Sequence, residues 1–252
     1  MQLRDHGVLP HVAVCLALAV GPAYAARPEP TPLAPPTAHS VEIPIDPIIH
    51  SATACDMGVP GPPAIAYAYV LPPNDAYYTL MDPAACGASQ TDRRLLIVAH
   101  AELYFTAPCE IPVTLSVVPA VVLGGGCLAP NLFAPPICPP VNYLVSDGGV
   151  LGRCVNYALP MPAGCSINGP AFLHIEFDQG TCPNGRPAFC GPAACSQCTQ
   201  YNFYPGVGAP GDDLCALFTP LSLTGPIMYV ESTSLPTSTT PGSWGVLKTL
   251  YR

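Results

Sequence analysis

Alternation of apolar and polar residues dominates the chain from residue 64 onward. Over 171–178, Leu173, Ile175 and Phe177 alternate with His174, Glu176 and Asp178. Residues 93–106 carry the longest such run. Leu95, Ile97, Ala99, Ala101, Leu103 and Phe105 fall on one side, and His100, Glu102 and Tyr104 on the other. Val113, Leu115 and Val117 alternate with Thr114 and Ser116, and shorter segments recur at 64–71, 141–146, 153–159, 201–204 and 227–231. A period of two sends successive side chains to opposite faces, so these segments predict half-buried antiparallel strands. Asp147-Gly148-Gly149, Asn168-Gly169 and Asn184-Gly185 supply turn signals between them. Short strands with turns at this spacing predict an all-β, disulfide-stapled antiparallel β-sandwich of jelly-roll type.

Proline reinforces that reading. The chain holds 35 prolines, and each removes a backbone donor and breaks a helix interior, leaving little room for helices of ordinary length. In strands they are confined to edges, starts and loops. Their distribution also divides the chain. Residues 1–25 read as a secretory signal peptide, with an apolar run from Val8 to Gly21 and Ala23-Tyr24-Ala25 at the expected cleavage site. Residues 26–54 form a Pro-rich arm. The sandwich is expected over 55–231. Residues 232–252 follow as a Ser/Thr/Pro spacer and a short C-terminal segment.

Of the 13 cysteines, Cys15 lies in the signal peptide. The remaining set is Cys55, Cys86, Cys109, Cys127, Cys138, Cys154, Cys165, Cys182, Cys190, Cys195, Cys198 and Cys215. An even set delivered to an oxidising compartment reads as a disulfide framework with no free thiol. Its connectivity cannot be deduced from sequence, although partners close in sequence are the safer expectation. Cys190, Cys195 and Cys198 have the spacing of three iron–sulfur ligands, with Cys215 as a fourth. Oxidising export argues for disulfides instead.

Charge and the length of the apolar runs remove two partner classes. Net charge is −8, with 8 Lys and Arg in total and no basic cluster beyond Arg93-Arg94. Nucleic-acid binding needs several cations on one face, so it is excluded. No apolar run after residue 25 reaches the roughly 18–20 residues of a membrane span. The destination read from the signal peptide is secreted or cell-surface.

Candidate chemistry is sparse. No Gly-x-Ser-x-Gly elbow, His-Glu-x-x-His or phosphate loop occurs. His174, Glu176 and Asp178 share one strand face, which His100 and Glu102 from another strand could extend. Imidazole with carboxylates suits a divalent metal. Alternate strand residues nevertheless stand nearly 7 Å apart, and a solvent-facing polar surface is the simpler reading. Asp212-Asp213, with Asp178, forms a candidate Ca²⁺ set. Glu102 and Glu176 are the candidate pair for glycoside hydrolysis.

The tail Trp244-Gly245-x-x-Lys248-x-Leu250-Tyr251-Arg252, with Gly169-Pro170-Ala171-Phe172-Leu173, Gly180-Thr181-Cys182 and Asp212-Asp213-Leu214-Cys215, resembles a group of exported proteins from uncultured bacterial lineages. The resemblance covers about the last third of the chain. It implies a secreted, Cys-stapled sandwich with a C-terminal tag for sorting or attachment, and no particular activity. Trp244, Leu247, Leu250 and Tyr251 fall on one side of a short helix beside Lys248 and Arg252. Such a segment fits a recognition peptide read by sorting machinery. The function expected is non-catalytic: a structural or ligand-binding surface protein, with a glycan as the ligand and Tyr67, Tyr69, Tyr104, Tyr201 and Tyr204 as the aromatic pool. The alternative is an extracellular polysaccharide hydrolase using carboxylates on the sandwich face.

Overall fold

A computed structural model describes residues 31–32, 54–68, 75–87, 93–178, 180–182, 187–204, 207–219 and 224–235. The signal peptide, most of the arm, the Asn184-Gly185 turn and the tail residues Trp244, Lys248, Tyr251 and Arg252 lie outside the described residues.

Among the described residues, two antiparallel sheets form a β-sandwich. The first has eight strands: β1 (Thr31–Pro32), β2 (Cys55–Val59), β3 (Ile65–Ala68), β5 (Arg94–Tyr104), β9 (Cys154–Pro160), β10 (Ser166–Ile167), β12 (Ala188–Gly191) and β15 (Met228–Ser234). The second has seven: β4 (Asp75–Met81), β6 (Glu110–Val122), β7 (Leu128–Pro130), β8 (Cys138–Ser146), β11 (Ala171–Phe177), β13 (Gln200–Phe203) and β14 (Asp212–Asp213). Among the described residues, one short α-helix, α1 (Leu214–Phe218), follows β14. In the first sheet β5 is the spine, with β15 and β12 along one edge and β9 and β10 along the other. The second runs β14-β13-β4-β11-β6, and β6 also pairs with β8.

Between the sheets lies a core built from the expected periodicity. Leu173, Ile175 and Phe177 of β11 and Val113, Leu115 and Val117 of β6 meet Ala99, Ala101 and Leu103 of β5. The alternation of β5 fails at one point. The pairing with β15 jumps from Val98↔Glu231 to Leu96↔Ser232, leaving Ile97 as a bulge residue. One extra residue flips the inward set, so Leu96 enters the core while Leu95 and Ile97 are half-buried. The buried Arg94 donates from Nε to Ser232 Oγ at 2.9 Å. Ser232 therefore belongs to the sandwich, and the expected spacer boundary at 232 falls inside β15.

A second apolar cluster covers the outer face of the second sheet. Ala76, Tyr78, Phe172 and Tyr201 pack with Ala129, Leu128 and Leu132. The β6–β7 hairpin bends over that face, where the Tyr201 hydroxyl donates to Leu128 O at 2.9 Å.

All twelve expected cysteines are bonded, as Cys55–Cys86, Cys109–Cys182, Cys127–Cys198, Cys138–Cys165, Cys154–Cys190 and Cys195–Cys215. Cys55–Cys86 alone joins cysteines consecutive in the chain; the rest overturn the expectation of pairing between sequence neighbours. Strands adjacent in these sheets are distant in sequence, so the partners they bring together are too. Cys190, Cys195 and Cys198 go to three different bonds, and no cluster site remains among them.

Candidate functional site

The hairpin and the segment after β13 convert the outer face of the second sheet into a groove of about 700 Å³. Its floor is set by cross-strand register: His174 of β11 sits opposite Tyr78 of β4 on one side and Ser116 of β6 on the other. Glu176, one step along the same face, completes the polar floor, while Leu132, Phe133 and Phe203 contribute apolar walls. Asn131 begins the loop after β7, and its Oδ1 accepts from Phe133 N–H at 3.2 Å. Phe133 is 89 % exposed.

His174 organises this floor. Its ring stacks on Tyr78 with centroids 4.8 Å apart and planes 17° apart. Nδ1 lies 2.8 Å from Ser116 Oγ. Nε2 is buried without a hydrogen-bond partner, and the Glu176 Oε2 atom stands 3.8 Å away. Burial pushes the imidazole down to about 4, so it is neutral at pH 7. In the Nε2–H tautomer the Ser116 hydroxyl donates to Nδ1. Burial first, then the Glu176 charge, raises the Tyr78 hydroxyl above its usual range. Glu176 is the only acid among the lining residues, which include no Lys or Arg, so the groove disfavours anions.

Opposite Ser116 the β6–β8 ladder is interrupted. Pairing passes from Leu115↔Val141 to Val117↔Cys138, and Pro139-Pro140 fills the gap on β8. Prolines supply no backbone donor, which accounts for the irregularity at this point.

Other expected constellations disperse. His100 and Glu102 point away from the core on the first sheet, whereas His174 and Glu176 do so on the second. The two pairs therefore occupy opposite outer faces and share no site. With the sheets about 10 Å apart, Glu102 and Glu176 cannot flank one glycosidic bond. His100 instead stacks on Tyr229 at 4.5 Å, with Nδ1 2.9 Å from Asn156 Oδ1 and Nε2 3.0 Å from Glu231 Oε1. Burial pushes Glu102 up to about 7. Its carboxyl, Cys154 and Cys190 lie close enough together to serve as a ligand set, but the two sulfurs are bonded to each other.

The calcium set does not assemble either. Asp213 caps α1, its Oδ1 accepting from Cys215 N and Ala216 N, while Oδ2 accepts from Cys198 N at 2.7 Å. Asp212 accepts from the Tyr204 hydroxyl at 3.3 Å. β13 and β4 separate β14 from β11, placing Asp178 at least three strand spacings away, more than roughly 14 Å.

His174 and Glu176 were legible as residues, but the solvent-facing reading of their surface is corrected: a second apolar cluster covers much of it. In the sequence Ser116 is only a polar strand position, and Tyr78, Phe133 and Phe203 carry no signal that marks a site. Of the expected aromatic pool, Tyr69 lies outside the described residues, Tyr201 is buried, and Tyr104 and Tyr204 are half-buried.

No protein-family model and no curated protein matches the chain. Among solved structures it is similar to a crystal structure of the cysteine protease and lectin-like domains of Cwp84, a surface layer associated protein of Clostridium difficile. That match has 9 % identity and a TM-score of 0.45, and covers 73 % of this chain and 37 % of that one. At that TM-score the likeness carries no functional argument.

Proposed function

We propose that this chain is a secreted or surface-attached binding protein whose groove on the second sheet takes a neutral glycan. The observation that carries the reading is the His174–Tyr78 stack beside Glu176, set in a largely apolar groove that lacks cations. Sugars combine apolar C–H faces, which pack on rings, with hydroxyls that donate to carboxylates, and sites of this kind surround a few polar groups with apolar walls. Six disulfides fit an oxidising destination. Residues 244–252 serve in this proposal as a tag for sorting or attachment, whose deletion relocates the protein.

An array of neutral and acidic oligosaccharides, followed by titration calorimetry, tests the groove. Neutral glycans are expected to bind, and Tyr78→Ala to weaken them at least tenfold. An array blank for neutral sugars, or binding indifferent to Tyr78, would refute the reading.

A further inference from the structure

We propose that Ser116, His174 and Glu176 form a nucleophile–base–acid row that hydrolyses a carboxylic ester carried by the groove's ligand, such as an O-acyl group on a neutral sugar. The proposal rests on the groove being a ligand site and goes beyond binding. Three strand positions create the row. Ser116 and His174 are register partners on β6 and β11, and Glu176 stands two residues along β11 on the same face. The Ser116 Oγ to His174 Nδ1 separation of 2.8 Å is that of a nucleophile and its base. Glu176 Oε2 faces the opposite ring nitrogen at 3.8 Å, and such contacts are often long before substrate binds.

Two observations separate this row from a structural hydrogen bond. His174 Nε2 is buried without a hydrogen-bond partner on the floor of the groove, facing the Glu176 carboxylate, a position that calls for an explanation beyond packing. Irregular ladders recur beside active sites, and the β6–β8 ladder breaks opposite Ser116.

In the reaction, Ser116 Oγ adds to the ester carbonyl carbon while its proton passes to His174 Nδ1. Glu176 stabilises the resulting imidazolium from the Nε2 side. Collapse breaks the bond to the alcohol, which departs with the proton from Nδ1. Water then adds to the acyl-serine by the same proton path, releasing the carboxylic acid and restoring Ser116. Asn131 also lines the groove, its Oδ1 accepting from Phe133 N–H, and in this reaction its side-chain amide serves the oxyanion.

The test treats the full disulfide-bonded protein with a fluorophosphonate probe and with p-nitrophenyl butyrate. Mass spectrometry should place one phosphonyl group on the peptide containing Ser116. Ester hydrolysis should fall at least tenfold in Ser116→Ala, and Glu176→Gln should lower kcat with KM little changed. Wild-type protein that stays unlabelled, carries the label elsewhere, or hydrolyses the ester no faster than Ser116→Ala would overturn the proposal. Neutral-glycan binding that depends on Tyr78, without labelling, would overturn the ester step and leave the binding groove standing.

Discussion

Cys127, at the end of the β6–β7 turn, is bonded to Cys198 across 71 residues of sequence. That bond fixes the hairpin over the outer face of the second sheet, where it builds one side of the groove. Both cysteines are half-buried, and Cys198 has a φ of 63°, a left-handed conformation uncommon outside glycine.

Replacing both, as Cys127→Ser with Cys198→Ser, should therefore loosen the groove and leave the main core folded. Chain-entropy arguments set a ceiling of about 4 kcal/mol for closing such a loop. Cys138–Cys165 and Cys154–Cys190 already close loops inside the same span, so a smaller loss is expected. Limited proteolysis should cut the exposed Gly124-Gly125-Gly126 turn faster in the variant. Equal cutting rates in the two proteins would show that the disulfide does not hold the hairpin down.

Two titrating groups oppose each other in acid. Burial raises Glu102 to about 7, so its contribution to stability is full below its unfolded pKa of 4.5 and is lost as pH rises through 7. Burial lowers His174 to about 4, so its contribution is present above 6.5 and is lost as pH falls through 4. Between pH 4.5 and 6.5 the two slopes oppose. Glu102→Gln should remove one, stabilising the protein at pH 8 and making it lose stability more steeply than wild type on acidification below pH 6.5. Parallel stability curves for wild type and variant would contradict this.

Asp213 works as a helix cap and loop anchor. Asp213→Ala should cost about 1–2 kcal/mol. Millimolar calcium should leave the melting temperature of wild type and variant alike. A calcium-dependent rise in the wild type alone would restore the cation reading.

Phe133, at 89 % exposure, contributes to the groove and little to the core. Phe133→Ala should weaken neutral-glycan binding and leave the melting temperature within a degree or two. A large drop in melting temperature would place Phe133 in the packing of the hairpin instead.

The alternating strands were legible because one face of each meets the core: β11 reads Leu173, Ile175, Phe177 as cleanly in the structure as in the sequence. β4 was not, although it lies at the heart of the second sheet. Its inner face carries Tyr77 and Met81, and its outer face Ala76 and Tyr78, so both faces are apolar and no period of two survives. The same cause hid the groove, since a second cluster on the outer face appears in sequence only as extra apolar residues. The Ile97 bulge was invisible because Leu95-Leu96-Ile97-Val98-Ala99 are all apolar, so a one-residue slip within them changes no pattern. Pro139-Pro140 marked the break opposite Ser116, but only the strand register shows what it faces.

The central claim is that ligand binds over His174 on the second sheet. Titrating a bound neutral oligosaccharide into isotopically labelled protein, with side-chain NMR shifts as the readout, tests it most directly. Tyr78, His174, Phe133 and Phe203 should shift together, while His100 and Tyr229 on the opposite face stay fixed. Shifts centred on His100 and Tyr229, with His174 unmoved, would contradict the account.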